Sequence, residues 1–213
     1  MSRYAGPSCR LCRREGIKLF LKGSRCLTEK CAVDRRGYPP GQHGQANSGR
    51  GGRKMSEYAR QLREKQKVKR IYGLSESQFR NTFERASHEQ GVKGTNLLIA
   101  LETRLDNVVY RMSFASSRKA ARQLVRHGHV QVNGRRVDIP SYRVIPGQEV
   151  RVAPASRELV PVKVALESAS RGAPMTWLSV DSGKAAGRLT MLPTRDAIPL
   201  NAQEQLIVEL YSK

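Results

Sequence analysis

Four cysteines fall within the first 31 residues of this 213-residue chain, at Cys9, Cys12, Cys26 and Cys31. A Cys-x2-Cys step aims two thiolates at one ion, and the Cys26-x4-Cys31 pair can complete a tetrahedral set around it. Four protein thiolates leave no open position for water or substrate, so the chemistry expected is structural ligation. Zinc is the default occupant. An iron–sulfur cluster of the 4Fe-4S type accepts the same thiolates, although the run lacks the usual ferredoxin pattern. Disulfides belong to oxidising compartments, whereas the N-terminus MSRYAGPSCR shows no hydrophobic signal region. Arg10, Arg13, Arg14, Lys18, Lys22, Arg25 and Lys30 interleave with the thiols, so metal binding would order a cationic knuckle.

A second constellation runs from Ser116 to Val137, SSRKAARQLVRHGHVQVNGRRV. Arg118, Lys119, Arg122 and Arg126 recur through a helical pattern, His127 follows, and Arg135 and Arg136 sit just past an Asn133-Gly134 turn. Ser113 to Gly134 contains no Asp or Glu, whereas a helix charged only for solubility would intersperse acidic partners. Groups of this kind, at this density, suit phosphate.

The elements that must hold these groups can be read from periodicity. Ser116 is the expected N-cap, Ala120, Ala121, Leu124 and Val125 form one apolar face, and Gly128 is the expected left-handed stop. His129 to Val132 alternates as a strand into Asn133-Gly134, the strongest short hairpin signal. A helix this short must dock on neighbours, and Leu105, Val108, Val109 and Met112 repeat at the required spacing. The charges should then share one outer surface. Upstream, SEYARQLREKQKVKRIYG reads as a helix from Ser56 to Gly73 with Tyr58, Leu62 and Ile71 as a narrow buried stripe. Leu74-Ser75-Glu76-Ser77-Gln78-Phe79 supplies a capping box from Ser75 and Gln78 with a hydrophobic staple from Leu74 to Phe79. The next helix buries Phe79, Phe83 and Ala86 and stops at Gly91, after which Thr95 caps a third helix through Leu97, Leu98, Leu101 and Leu105. Asp34 to Gly44 reads as a Pro/Gly-rich ordered loop that includes His43, and Ala46 to Lys54 has almost nothing to bury.

Downstream, Tyr142 to Ile145 and Glu149 to Val152 read as two short strands about Pro146-Gly147. Ser156 to Ser168 reads as a helix that Pro161 weakens. Trp177 to Val180, Arg188 to Leu192 and Leu206 to Tyr211 read as strands. The fold class expected is therefore α+β: a mainly helical N-terminal domain with a metal knuckle, a small helix and β-hairpin RNA-binding domain, and a C-terminal strand segment. The domain bounds expected are 1–45 for the knuckle and loop, 46–101 for the helices, 102–166 for the small domain, and 167–213 for a β-rich segment packing on the others.

Composition points the same way. The chain holds 39 Lys plus Arg against 18 Asp plus Glu, a formal charge of +21, and its pI is near 10.6. The surplus is uneven, at +10 for residues 1–60, +4 for 61–100, +6 for 101–153 and +1 for 154–213. The first three blocks thus suit a polyanion, and the last suits a scaffold or a protein-facing surface. Aromatic residues make up 6% and do not alternate with basic ones, so shape and phosphates rather than base stacking should dominate recognition. No apolar stretch approaches the length of a membrane span. No heptad zipper or Cys-His finger accompanies the basic regions, which disfavours a regulatory DNA-binding protein.

An enzyme is not expected, since no Gly-rich phosphate cradle, nucleophile elbow or zinc-protease helix is present. Arg104-Leu105-Asp106 does resemble the catalytic Arg-Leu-Asp of RNA pseudouridine synthases. It precedes the basic helix instead of following it, and Asp106 reads more simply as an acid on a helix surface.

Four blocks together resemble the bacterial ribosomal protein S four family, the fourth-numbered protein of the small subunit, in its cysteine-containing form. They are the knuckle, the Arg35 to Gly44 loop, the run QLREKQKVKRIYGLSESQF, and Arg104 to Val152. The resemblance implies a structural component of the small ribosomal subunit, cytoplasmic and on the ribosome, that binds 16S rRNA as a primary binder. It further implies nucleation of small-subunit assembly, a contribution to translational accuracy, contact with the fifth small-subunit protein, and possible feedback on its own messenger RNA. The resemblance carries RNA binding onto Arg118, Lys119, Arg122, Arg126, Arg135 and Arg136; Arg13, Arg14, Arg35, Arg36, Lys67, Lys69, Arg70 and His127 complete the expected RNA-binding set, beside the expected metal ligands Cys9, Cys12, Cys26 and Cys31. Neither a membrane nor a small-molecule substrate is implied. The competing expectation is a free-standing RNA-binding assembly or stress factor built on the same small domain.

Overall fold

The structure, a computed structural model, describes residues 4–45, 55–169 and 175–212. The Gly- and Arg-rich stretch expected around Gly49 to Arg53 lies outside the described residues. The chain divides into two compact units, Met1–Asn81 with Asn201–Lys213, and Thr82–Leu200.

In the first unit, α1 (Ser8–Glu15) and α2 (Ala32–Arg35) flank a 3-10 turn at Gly23–Leu27, and a longer helix, α3 (Glu57–Tyr72), follows. Ser56 caps α3 by accepting from the Ala59 N–H at 3.3 Å, and Gly73 closes it in the left-handed conformation at φ 63°. The face buried by α3 is Gln61, Val68, Ile71 and Tyr72. Tyr58, expected inside, is 58% exposed. The capping box at the start of α4 (Glu76–His88) forms as expected: the Gln78 N–H donates to Ser75 Oγ at 3.3 Å and the Ser75 N–H to Gln78 Oε1 at 3.5 Å.

The last element corrects a sequence expectation. Leu206 to Tyr211 forms a helix, α9 (Glu204–Tyr211), where a strand was expected. A run as apolar as LIVELY has no period that separates the two. Packing decides it: α9 lies along α3, Gln61 Nε2 donates to Glu209 Oε2 at 3.1 Å, and the Phe79 and Tyr211 rings stack with centroids 6.4 Å apart.

The second unit is built around α5 (Lys93–Glu102), α6 (Leu105–Arg111) and α7 (Arg118–Arg126), and a sheet formed by β1 (Val130–Val132), β2 (Arg135–Arg136) and β3 (Glu149–Val152). Then come α8 (Val160–Ala169), preceded by a 3-10 turn at Pro154–Ser156, and the strands β4 (Leu178–Asp181) and β5 (Ala186–Leu189). Pro161 sits in the first turn of α8, where it removes no helical hydrogen bond. The sheet is antiparallel throughout, in the order β2-β1-β3-β5-β4.

Several boundaries differ from the sequence expectation: the strand expected at Arg188 to Leu192 runs from Ala186 to Leu189, and the helix expected from Ser156 starts at Val160. α5 starts at Lys93 from Val92, not at Thr95, and no side chain caps it. The single helix expected from Leu97 to Leu105 is broken at Thr103 and Arg104, where Arg104 takes extended backbone. The free amides this creates at the start of α6 are met from far along the chain, since the Leu105 N–H donates to the Tyr142 carbonyl at 2.8 Å and the Asp106 N–H to the Pro140 carbonyl at 3.2 Å. That use of Tyr142 explains a further difference: Tyr142 to Ile145, expected as a strand, contributes only the bridge of Arg104 to Arg143. Its hydrogen bonds serve the junction of α5 and α6, with the Val144 N–H donating to the carbonyl of Thr103, the C-cap of α5, at 2.8 Å. Finally, Ser117 and not Ser116 caps α7, accepting from the Ala120 N–H at 3.3 Å.

The core of this unit joins one face of α6 and α7 to one face of the sheet. Leu105, Val108, Val109 and Met112 meet Ala121, Leu124 and Val125, and Val130, Val132, Val150, Val152, Trp177 and Leu189 close the layer. Each large side chain buried here stabilises by about 1.5–3 kcal/mol. The hairpin is pinned by its turn: Asn133 (φ 47°) and Gly134 (φ 82°) both take positive φ, and Asn133 Oδ1 accepts from the Glu149 N–H at 2.9 Å.

Candidate nucleic-acid interface

Helix α7 carries Arg118, Arg122 and Arg126 at four-residue spacing, a stripe along one face. The three meet different surroundings. Arg118 Nε donates to Asn107 Oδ1 at 2.8 Å, and its guanidinium carbon lies 4.5 Å from the centroid of the Tyr110 ring. Arg122 Nη1 donates to Asp106 Oδ2 at 2.9 Å. Arg126 is exposed and has no ion-pair partner among the described residues. His127, Arg135 and Arg136 are also exposed, and neither Arg135 nor Arg136 has an ion-pair partner among the described residues. The Arg136 guanidinium lies across Gly128, whose φ is 76°; a Cβ there would sit 2.0 Å from Arg136 Nε. The helix end and the hairpin thus present one small surface of guanidinium and imidazole groups.

Asp106, expected on a helix surface, is 5% exposed. Arg104 Nε donates to Oδ1 at 3.1 Å and Arg104 Nη2 to Oδ2 at 3.0 Å, so with Arg122 both carboxylate oxygens are engaged. Glu102 beside it is fully buried and receives Arg111 in a bidentate pair, Nε at 2.9 Å and Nη2 at 2.6 Å. Asn107 Nδ2 donates to Glu102 Oε2 at 2.6 Å, which joins Arg118 to that pair. Burial pulls the Arg122 guanidinium below its ordinary pKa, against the opposing attraction of Asp106. The expectation that all the α7 charges share an outer surface therefore gives way to a split, and Arg122→Glu should destabilise the fold, because it would set a second carboxylate against Asp106. Sequence reasoning missed Glu102, Arg104, Asn107 and Arg111. Two acids embedded in an otherwise apolar Leu/Val pattern were the available signal.

On α3, every Lys and Arg has a carboxylate within ion-pair distance. Lys65 and Lys69 bracket Glu76 at 2.5 and 2.7 Å, Lys67 meets Glu64 at 2.5 Å, Arg60 meets Glu57 at 3.5 Å, and Arg63 and Arg70 converge on Glu15 of α1. Burial raises the Glu15 carboxyl above its ordinary value despite Arg70 and Arg63. Arg13 is also engaged, donating to the carbonyls of Tyr38 at 3.0 Å and Pro39 at 3.3 Å, with its guanidinium carbon 4.8 Å from the Tyr38 ring centroid. It clamps the following loop to α1. Arg14, Arg35 and Arg36 are exposed, as is His43.

Cys9, Cys12, Cys26 and Cys31 are free thiols that line one pocket together with Lys18, Phe20, Lys22 and Arg25. Burial raises the Cys12 thiol above its ordinary pKa, and the neighbouring Cys26, Cys9 and Cys31 add to that. Among the described residues, no three His, Cys, Asp or Glu side chains converge closely enough to hold an ion as they stand. The donor types and the shared pocket suit a soft divalent metal, and the thiols would have to draw inward around it.

Two families match the chain. The ribosomal protein S4/S9 N-terminal domain covers residues 3–102, and the S4 domain covers residues 103–150. Proteins named small ribosomal subunit protein uS4 from Thermus thermophilus and Pelotomaculum thermopropionicum are each 57% identical over 213 residues, covering all of this chain and all of the relative. The protein of that name from Thermodesulfovibrio yellowstonii is 57% identical over 214 residues, again at full coverage of both.

Proposed function

Because this chain belongs to the family of small ribosomal subunit protein uS4, we propose that it is a structural protein of the small ribosomal subunit that binds 16S rRNA, working on the ribosome in the cytoplasm. The observation that carries this reading is identity sustained across the whole chain, both matched domains included. The physical basis is the surface where α7 ends and the hairpin begins. There Arg126, Arg135 and Arg136 stand clear of carboxylates and can be neutralised only from outside the described residues, which suits the closely spaced phosphates of folded RNA. On the first unit, Arg14, Arg35 and Arg36 are a separate exposed set. No helix among the described residues is long and apolar enough to cross a membrane.

Finer roles follow in the same reading. Binding early to the 5′ domain of 16S rRNA, the protein nucleates assembly of the subunit and contributes to translational accuracy. It meets the fifth small-subunit protein through its nearly neutral C-terminal block, and it binds its own messenger RNA where that folds alike. Cys9, Cys12, Cys26 and Cys31 hold zinc, with an iron–sulfur cluster as the alternative. The metal supplies a fixed cross-link between α1, the 3-10 turn and the start of α2 when bound. The chain's own part is to bring four thiols to one pocket and to ring it with Lys18, Lys22 and Arg25, whose positive charge would offset that of a four-thiolate site.

The deciding experiment is binding of the metal-replete protein to the 5′ domain of 16S rRNA, to duplex DNA of equal length and to an unrelated structured RNA across a salt series. Preference for the 5′ domain that survives high salt is expected. Equal, salt-labile binding to all three would overturn the reading. Sedimentation separates it from a free-standing assembly factor, since a structural protein stays stoichiometric on salt-washed small subunits. Metal analysis with ultraviolet and visible absorption distinguishes zinc, which is colourless, from a cluster, which is not.

A further inference from the structure

The α7 arginine stripe divides into two pinned members and one open member, and what pins them is built deep in the unit. Asp106 is 5% exposed and Arg104 8% exposed, and together with Arg122 they form one carboxylate shared by two guanidiniums. The next contact along α7, Arg118 to Asn107, belongs to a chain that continues through Glu102 to Arg111. Burying such groups is expensive, and a hydrophobic replacement would often stabilise as well or better, so stability alone is a weak account of them. They do fix direction. A planar guanidinium held on a carboxylate allows α7 little rotation about its axis or sliding along α6.

We infer that Asp106 is a positioning residue for RNA recognition: it holds Arg122 as an internal strut, which sets α7 at the rotation that presents Arg126, one turn further along, and the hairpin arginines to phosphate. The inference rests on the RNA-binding reading above and divides its basic residues by task. Arg122 and Arg118 orient the helix. Arg126, Arg135 and Arg136 meet the phosphates and release the counterions.

The test turns on a sign that charge alone gets wrong. Asp106→Asn raises the net positive charge by one, so a purely electrostatic contribution predicts tighter binding to the 16S 5′ domain. Positioning predicts weaker binding by about tenfold, equivalent to about 1.4 kcal/mol, in protein that circular dichroism shows to be folded. Arg122→Gln should weaken binding similarly while leaving the slope of log affinity against log salt unchanged. Arg126→Gln should flatten that slope by about 0.7–0.9, the loss of one phosphate contact. Arg122→Lys, which keeps a cation within reach of Asp106, should recover most of the affinity. It decides the matter with Arg122→Gln if Asp106→Asn does not fold. Unchanged or tighter binding by Asp106→Asn overturns the inference, as does a slope that falls by about one unit in Arg122→Gln. Those failures leave wild-type preference for the 5′ domain in place, whereas loss of that preference in the wild type overturns the functional reading itself.

Discussion

Helix α3 and the α7 hairpin segment are comparably rich in Lys and Arg, yet they use them differently. Along α3 each cation faces a carboxylate drawn from its own turns, from Glu76 at the start of α4 or from Glu15 of α1. Between Ser113 and Gly134 the sequence supplies no acid, so α7 borrows Asp106 and Asn107 from α6 for its first two arginines and leaves the third open. A count of positive residues is therefore a poor count of phosphate ligands. What matters is how many cations remain after the fold has taken its share, and that number is higher at the hairpin.

The largest effect expected from breaking this division lies in the buried acids. Glu102→Gln leaves the Arg111 guanidinium buried without its anion and should cost about 3–5 kcal/mol, whereas Glu57→Gln on the exposed side of α3 should cost under about 0.5 kcal/mol. Urea denaturation of the two variants measures both. Next is RNA binding: Arg135→Gln with Arg136→Gln should lower the salt slope by about 1.4–1.8, and Lys67→Gln with Lys69→Gln by less than half of that. Equal slopes in the two double variants would dissolve the distinction between the regions.

A smaller effect compares two glycines after the two helices. Gly73 has open space where a Cβ would go, so Gly73→Ala should cost only the left-handed strain, about 1 kcal/mol. Gly128→Ala adds displacement of the Arg136 guanidinium, so thermal melting should show about 1–2 kcal/mol and rRNA affinity should fall as well. The smallest effect is a pH dependence. Partial burial raises the Glu76 carboxyl, but hydrogen bonds from Lys65 and Lys69 outweigh it and hold the group below its ordinary 4.5. A depressed folded pKa means a contribution present above the ordinary value and lost as pH falls through the folded one. The stability gap between wild type and Glu76→Gln should therefore be full near neutrality and shrink as pH falls below 4.5.

Much of this was legible in the sequence because the signals are local. Asn133-Gly134 specifies its turn by requiring two positive φ values, Ser75 and Gln78 cap reciprocally within one turn, and the spacing of Leu105, Val108, Val109 and Met112 marks a buried face. The remainder depends on partners distant in the chain. Leu206 to Tyr211 has no period that separates helix from strand, and only α3 beside it decides. Leu97 to Leu105 looks continuous because the break at Arg104 is compensated by Pro140 and Tyr142. Asp106 looked like a surface acid for the same reason, since turning the helix axis there re-aims its side chain towards Arg104 and Arg122. Of the candidate site, the sequence disclosed the basic residues and the cysteines, and it hid which of the arginines the fold consumes.

The two hydrogen bonds that open α6 also bear on the order in which the chain can fold. The Leu105 and Asp106 amides need carbonyls at Tyr142 and Pro140, so the first turn of α6 cannot be completed until the whole of α7 and the hairpin has been made. During synthesis, α3 can form as soon as it emerges, while α6 waits on a loop closure that spans most of the S4 domain. The surface assigned to rRNA should therefore appear late and all at once, and a nascent chain cut short before Pro140 should bind no better than its charge allows.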